Sequence, residues 1–152
     1  EATRVMSLRE GTKKMSKSDQ SDYTRINLTD EAEIIALKLR KARTDSQPVP
    51  KDLKDLQNRP EAANLVGIFA GLADVKREKV LEDYGGYQFS KFKSVLTELA
   101  IETIAPLSKE MRRLLKDTAE LDRVLEQGAK KARTISGPIL QETKQIVGFL
   151  GS

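Results

Sequence analysis

Apolar residues recur every three or four positions through most of the chain after residue 30, and this spacing constrains the fold more than any other feature. Such a repeat places one apolar stripe along an α-helix. A mainly α fold is therefore expected, with a helical bundle over residues 30–152. The clearest stripes are Ala32, Ile35, Ala36 and Leu39; Leu65, Ile68, Phe69 and Leu72; and Phe89, Phe92, Leu96, Leu99 and Thr103.

Capping residues, prolines and glycines predict where these helices begin and end. Asp30, with Glu33 three positions later, is typical of a capping box. The first helix should stop within 44–50, where two prolines interrupt the chain, and Pro60 should open the second. A shorter helix over 76–83 should end at a Gly-Gly turn.

The last third of the chain predicts long helices. Pro106 either kinks the third helix or starts another one. The final element should run from about Thr118 to Phe149, with a break at Gly137–Pro138. Gly128 and Ala132 lie on its apolar stripe and indicate a close approach to another helix.

The composition excludes whole classes of chemistry. The chain has 152 residues, about one domain's worth, and contains no His, Cys or Trp. A Ser-His-Asp triad, a thiolate nucleophile and a zinc site with His or Cys ligands are therefore impossible within it. The apolar run over 65–73 is too short to span a membrane, and the N-terminus has no signal pattern. We expect a cytoplasmic protein with no membrane partner.

The N-terminal segment differs from the rest. Residues 3–8 resemble a short β-strand, which needs sheet partners to be stable. Residues 9–22 are almost entirely polar and predict a loop. The chain begins with Glu1 rather than Met, so we expect that a preceding part of the protein supplies the missing sheet.

The loop contains the sharpest motif in the chain, the string Lys14-Met15-Ser16-Lys17-Ser18. Two ammonium groups three residues apart, with hydroxyls beside them, suit the oxygens of a polyphosphate. The motif is neither a P-loop nor a Gly-x-Gly-x-x-Gly fingerprint. A solvated lysine-rich loop is the alternative interpretation.

These five residues match the signature of class I aminoacyl-tRNA synthetases letter for letter. Further segments resemble the bacterial-type tryptophanyl-tRNA synthetases, of which the tyrosine enzymes are structural siblings. The resemblance covers nearly the whole chain. The segments that carry it are 4–8, 12–19, 41–45, 64–68, 84–87, 126–129 and 148–150.

The resemblance implies a homodimeric ligase that activates tryptophan with ATP and transfers it to tRNA(Trp). Residues 1–29 would be the end of a Rossmann-like catalytic domain, and residues 30–152 a helical anticodon-binding domain. Lys14 and Lys17 would be catalytic, because they would stabilise the charge on the departing pyrophosphate. The ATP-binding set would be completed by Val5, whose backbone would lie against adenine, and by Met15, Ser16 and Ser18. Mg²⁺ would be bound through the phosphates, with no protein metal ligand.

One departure from the family pattern is large. The first class I signature, a His-Ile-Gly-His-like string, is absent, and the chain contains no His. The chain therefore resembles the C-terminal portion of a synthetase that begins just before the ATP loop. We expect this piece to be inactive alone, because the tryptophan pocket would lie upstream.

Basic residues are concentrated in two segments, which the resemblance relates to tRNA phosphates. The segment 38–59 has seven basic and three acidic residues, and the segment 109–133 has eight and five. An ordinary charged helix surface is the alternative. Phe89 and Phe92 should pack in the core, whereas Tyr84 and Tyr87 could either pack or stack on anticodon bases.

The sequence leaves two other functions open. One is a non-catalytic helical RNA-binding or interaction module that retains the loop. The other is the same part of a tyrosyl-tRNA synthetase.

Overall fold

A computed structural model describes residues 4–149, and its mainly helical fold confirms the predicted class. Two compact units are present, the first ending at Met111 and the second beginning at Arg112. A short 3-10 helix, Asp22–Thr24, precedes the α-helices. These are α1 (Ala32–Arg40), α2 (Leu53–Leu56), α3 (Pro60–Ala73), α4 (Arg77–Tyr84), α5 (Phe89–Lys116) and α6 (Thr118–Ile146).

The strand expected over residues 3–8 is reduced to a minimum. In the described part of the chain, the β pairing consists of one isolated antiparallel bridge between Met6 and Lys14. Thr3 lies outside the described residues. A single bridge leaves most backbone groups of this segment to find other partners, and these partners position the loop.

The core of the first unit is built from the predicted apolar stripes. Phe92 is completely buried and Phe89 nearly so, which confirms that both pack in the core. The Phe92 ring stacks on Phe69 of α3 at a centroid distance of 5.6 Å. Aromatic and aliphatic side chains thus join α3 to α5, as the spacing along both helices requires.

The predicted start of α1 was wrong by one residue. The helix begins at Ala32, with Glu31 rather than Asp30 at the N-cap position. The Asp30 carboxylate instead accepts a hydrogen bond from the backbone nitrogen of Asn27 at 2.9 Å and one from Lys38 Nζ at 2.6 Å. A buried cation eight residues away thus takes the carboxylate that local spacing assigned to a cap.

Pro138 does not break the final helix, contrary to prediction. α6 continues through it, and Pro106 likewise lies inside α5. The residue before a proline normally avoids helical geometry because its Cβ meets the proline ring. Gly137 has no Cβ, so this clash is weaker here.

Among the described residues of the second unit, the close helix contact predicted at Gly128 does not form. A Cβ built on Gly128 meets nothing within 4 Å, and no described residue of α6 is buried. Small residues on a helix face permit a close approach but do not require one. In residues 4–149, no helix is long and apolar enough to cross a membrane.

Candidate functional site

A backbone hairpin presents the loop that contains the signature residues. The nitrogen of Ser7 donates to the Lys13 carbonyl at 2.8 Å, and the nitrogen of Met15 donates to the Val5 carbonyl at 3.2 Å. These bonds close residues 5–15 into a compact turn. Lys14 therefore leaves the hairpin at a defined point rather than from a free coil.

The side chain of Asn64 in α3 fixes this hairpin. Its Oδ1 accepts a hydrogen bond from the Met6 nitrogen at 3.0 Å, and its Nδ2 donates to the carbonyls of Met6 and Ser7 at 2.9 and 3.2 Å. The Asn64 side chain is buried, so these bonds lie away from water. One amide side chain thereby pairs backbone groups that a sheet would otherwise pair.

Gly11, at the tip of the hairpin, lies against the first turn of α3. A Cβ at this position would come within 2.6 Å of both the Glu61 nitrogen and the Pro60 oxygen. No side chain fits in that space without movement of the backbone. The glycine that precedes the signature therefore serves close packing.

Leu8 ties the hairpin to two further segments. Its nitrogen donates to the Thr24 carbonyl at 2.9 Å, and its carbonyl accepts from the Arg43 nitrogen at 2.7 Å. The Leu8 side chain is 1% exposed. Both ends of the loop between Met15 and Thr24 are consequently hydrogen-bonded to the same segment, residues 5–8.

The signature residues themselves face solvent, with one exception. The Met15 side chain packs against the core. The hydroxyl oxygens of Ser16 and Ser18 lie 3.1 Å apart. Lys14 and Lys17 are exposed, and within residues 4–149 neither side chain has a hydrogen-bonding or ionic partner. Both ammonium groups are thus available to an anionic ligand.

Lys13, by contrast, is already paired. Its Nζ lies 2.9 Å from Glu10 Oε2. The hydrogen bond to Glu10 and the negative charge of that carboxylate raise the pKa of Lys13, and Asp19 contributes in the same direction. The lysines of this loop therefore divide into one that is paired with a carboxylate and two, Lys14 and Lys17, that are not.

A cleft of about 380 Å³ lies beside the hairpin. Val5 and Asn64 line it, together with Arg4 and Arg77, whereas Lys14 and Lys17 do not. The structure thus brings Val5 next to the backbone of Met15 but leaves the lysines outside this cleft. Acidic side chains do not gather into a group of three or more that could hold a metal, as far as the described residues are concerned.

Some cations of the first basic segment, residues 38–59, are paired with acidic side chains. Lys38 is buried against Asp22 and Asp30, which corrects its assignment to a phosphate-binding surface. Arg59 donates two hydrogen bonds to Asp45, at 2.8 and 2.6 Å. In the second segment, the exposed residues with the densest positive charge are Lys130, Lys131 and Arg133.

Tyr84 and Tyr87 pack against neighbouring side chains rather than extend into solvent. The Tyr84 ring lies 5.0 Å from Phe69 and 5.6 Å from Tyr87, and it also contacts Phe92. The ammonium of Lys91 lies 4.1 Å from the centroid of the Tyr87 ring. These contacts favour a structural role over stacking on unpaired bases.

Sequence reasoning missed the buried contacts of two polar residues, Asn64 with the hairpin and Lys38 with Asp22 and Asp30. Each is a polar residue on the apolar side of a helix, next to core positions such as Leu65 and Leu39. A polar side chain in such a stretch signals a specific buried partner. The partner itself, tens of residues away in the case of Asn64, has no signature in one sequence.

Comparison with known proteins gives a consistent result. The family model for class I tRNA synthetases (W and Y) matches residues 2–131. The tryptophan–tRNA ligase of Caulobacter vibrioides is 56% identical over 98% of this chain, and that of Rhizobium meliloti is 52% identical over 98%. The chain spans 43% and 42% of the lengths of these two curated relatives.

A solved structure agrees with the sequence relatives. The tryptophanyl-tRNA synthetase of Campylobacter jejuni, complexed with ADP and tryptophan, is 25% identical, with a TM-score of 0.71. The similarity covers 96% of this chain and 44% of that one. The arrangement of hairpin, loop and helices is therefore similar to that part of a known synthetase.

Proposed function

Because this chain belongs to the class I tRNA synthetases of the tryptophan and tyrosine group, we propose that it is the ATP-loop and helical part of a tryptophan–tRNA ligase. The parent enzyme joins tryptophan to ATP, releases pyrophosphate, and transfers tryptophan to tRNA(Trp). The names of the relatives favour tryptophan over tyrosine, and an active ligase over a non-catalytic module.

The observation that carries the proposal is the contrast among the loop lysines. Lys13 is paired with Glu10, whereas Lys14 and Lys17 are exposed and have no acidic partner among the described residues. Cations that come to lie beside a departing group stabilise the negative charge that develops on it in the transition state. The two free lysines suit this task.

In the proposed reaction, a carboxylate oxygen of tryptophan attacks the α-phosphorus of ATP, and the bond to the β-phosphate oxygen breaks. Negative charge moves onto the departing pyrophosphate, where Lys14 and Lys17 would neutralise it. Ser16 and Ser18 would donate hydroxyl hydrogen bonds to phosphate oxygens, and Met15 would anchor the loop to the core. The Val5 backbone would lie near adenine.

Mg²⁺ would reach this site on the triphosphate, and we assign no protein ligand to it. The chain offers ammonium and hydroxyl groups beside the expected phosphates, which fits a metal that the nucleotide carries. The domain assignment, with residues 1–29 completing the catalytic domain and residues 30–152 forming the helical tRNA-binding domain, is part of the same proposal. So are a homodimeric parent and a cytoplasmic location.

The test is ATP–pyrophosphate exchange by the full-length enzyme with Lys14→Ala or Lys17→Ala. Loss of one preorganised transition-state contact lowers kcat by roughly 100- to 1,000-fold. Lys13→Ala is the matched control and should retain exchange, because its ammonium is already paired with Glu10. Equal activity in all three variants would contradict the proposal. The 152-residue chain alone is expected to give no exchange.

A further inference from the structure

Lys38 of α1 is a lysine that the fold buries almost completely, with 2% of its side chain exposed. Its ammonium lies 2.6 Å from Asp22 Oδ2 and 2.6 Å from Asp30 Oδ2. Removal of an ammonium from water is unfavourable, and carboxylates at this distance offset the cost. The buried position of Lys38 therefore depends on both acidic partners.

The more exposed of these partners, Asp22, lies four residues after the signature loop. Asp22 is the first residue of the 3-10 helix, and its side chain is half-exposed. Asp22 Oδ1 also accepts from Asn27 Nδ2 at 2.9 Å and lies 3.2 Å from Arg25 Nη2. The hydrogen bonds from Lys38 and Asn27 lower the pKa of Asp22, which keeps the carboxylate charged.

Arg25 extends this network into the loop. Its Nη1 donates to the Asp19 carbonyl at 3.0 Å, next to Ser18. The downstream end of the loop is thus connected to α1 through Arg25, Asp22 and Lys38. Residues 16–20 between the two ends are all exposed.

The upstream end is held by a different set of contacts, those of the hairpin with α3. A loop fixed at both ends presents its side chains to a smaller volume than a loop fixed at one. The orientation of Lys17, which lies between the two anchors, depends on the downstream anchor as well as on the upstream one.

We propose that Lys38 is a positioning residue for adenylate formation: it holds Asp22 against α1 and so fixes the downstream end of the loop that carries Lys14 and Lys17. The inference rests on the proposed function, because that function gives these lysines their ligand. Without Lys38, the ion pair that joins Asp22 of the 3-10 helix to α1 would be lost, and the 3-10 helix would move away from α1. A displacement of about 1 Å at reacting groups can lower a rate about 100-fold.

The primary test is Lys38→Met in the full-length enzyme, measured by ATP–pyrophosphate exchange. We expect kcat to fall about tenfold or more while the KM for tryptophan stays constant, because only the ATP loop is disturbed. The matched control is Lys79→Met. Lys79 also has two acidic partners, Glu82 at 3.2 Å and Asp83 at 2.8 Å, but it is 52% exposed on α4. This variant should keep the original kcat.

Asp22→Asn is the second variant, and it keeps the inference testable should Lys38→Met fail to fold. Asp30 remains to neutralise Lys38 in this variant, and the changed side chain is half-exposed. We expect a fall in kcat in the same direction as for Lys38→Met, again without a change in the KM for tryptophan. Circular dichroism measures the folded fraction of each variant, and kcat is expressed per folded enzyme.

A kcat per folded enzyme equal to that of Lys79→Met in either variant would overturn the inference. A parallel rise in the KM for tryptophan would also overturn it, because the disturbance would then not be confined to the loop. Lys14→Ala and Lys17→Ala are measured alongside. If those two variants keep full activity, the proposed function itself fails; if they lose activity and Lys38→Met does not, only the role of Lys38 fails.

Discussion

Asn64 of α3 hydrogen-bonds both backbone polar groups of Met6, accepting from its nitrogen at 3.0 Å and donating to its carbonyl at 2.9 Å. This reciprocal pair is what an adjacent β-strand provides in a sheet. The buried Asn64 side chain thus takes the place of a neighbouring strand where the hairpin contacts α3. The Asn64 amide is therefore one of the contacts that position the loop.

Replacement of Asn64 by Ala should therefore destabilise the first unit. Unpairing the buried polar groups of Met6 is expected to lower the free energy of unfolding by about 1–3 kcal/mol. Urea denaturation of the variant measures this change. Asn58→Ala is the control, because Asn58 is exposed and should change stability by less than about 0.5 kcal/mol. Equal effects at the two positions would contradict the role of Asn64.

Two glycines should respond in opposite directions to the same change. Gly11→Ala places a Cβ within 2.6 Å of α3 backbone atoms and should lower the midpoint of thermal unfolding. Gly71→Ala meets nothing within 4 Å inside α3 and should stabilise the helix by roughly 0.5–1 kcal/mol. Scanning calorimetry of both variants tests the pair. A stabilised Gly11→Ala variant would show that the hairpin does not pack on α3 this closely.

The longer helices were predictable from the sequence because their apolar stripes are local patterns, whereas the four-residue α2 was not predicted. The positions of Phe89 and Phe92 follow from spacing alone, and the turn after α4 follows from the pair Gly85 and Gly86. Asp30 and Lys38 could not be assigned this way, since a cap and a buried ion pair compete for the same carboxylate. Only the three-dimensional fold decides between them.

The site was predictable to a smaller extent. The string from Lys14 to Ser18 identifies the loop, because five residues in a fixed order form a local signal. Lys13 differs from Lys14 in that it is paired with Glu10. Asn64, the α3 residue that fixes the hairpin, is 58 residues from its partner Met6. Such contacts depend on how the chain folds back on itself and leave no periodic trace.

The ion pair between Asp45 and Arg59 should make stability depend on pH. The hydrogen bonds and charge of Arg59 lower the pKa of Asp45 in the folded state. A carboxyl with a lowered pKa contributes stability above its unfolded pKa of about 3.9, and this contribution is lost as the pH falls through the folded pKa. We therefore expect Asp45→Asn to lower the unfolding midpoint at pH 7 but to have progressively less effect below about pH 4.

A double-mutant cycle tests the cause of that shift. Arg59→Gln should lower stability at pH 7 by more than Asp45→Asn does, because Arg59 also donates to the Gln47 carbonyl at 3.1 Å. The double variant should lose little more than Arg59→Gln alone, because both changes remove the same ion pair. Urea denaturation gives the four free energies of the cycle at pH 7 and again at pH 3. Additive losses at pH 7 would show that Asp45 and Arg59 act independently.

The exposed cluster Lys130, Lys131 and Arg133 of α6 provides a test of the proposed contact with tRNA. Replacement of all three by Gln in the full-length enzyme should weaken binding of tRNA(Trp), because each cation that contacts a phosphate releases counterions. The plot of log affinity against log salt should become shallower by roughly one for each cation–phosphate interaction that the substitutions remove. Fluorescence titration at several salt concentrations gives both quantities.

Lys79→Gln is the control for this experiment, since that lysine is engaged with Glu82 and Asp83 on α4. It should leave the affinity and the salt slope unchanged. A tRNA with a scrambled anticodon separates recognition of the phosphates from recognition of the anticodon bases. Because cations contact phosphates without regard to sequence, the triple variant should weaken the binding of both tRNAs by the same factor. If the triple variant binds as tightly as the original enzyme at every salt concentration, α6 does not contact the tRNA backbone through this cluster, and its positive charges belong to an ordinary solvated helix surface.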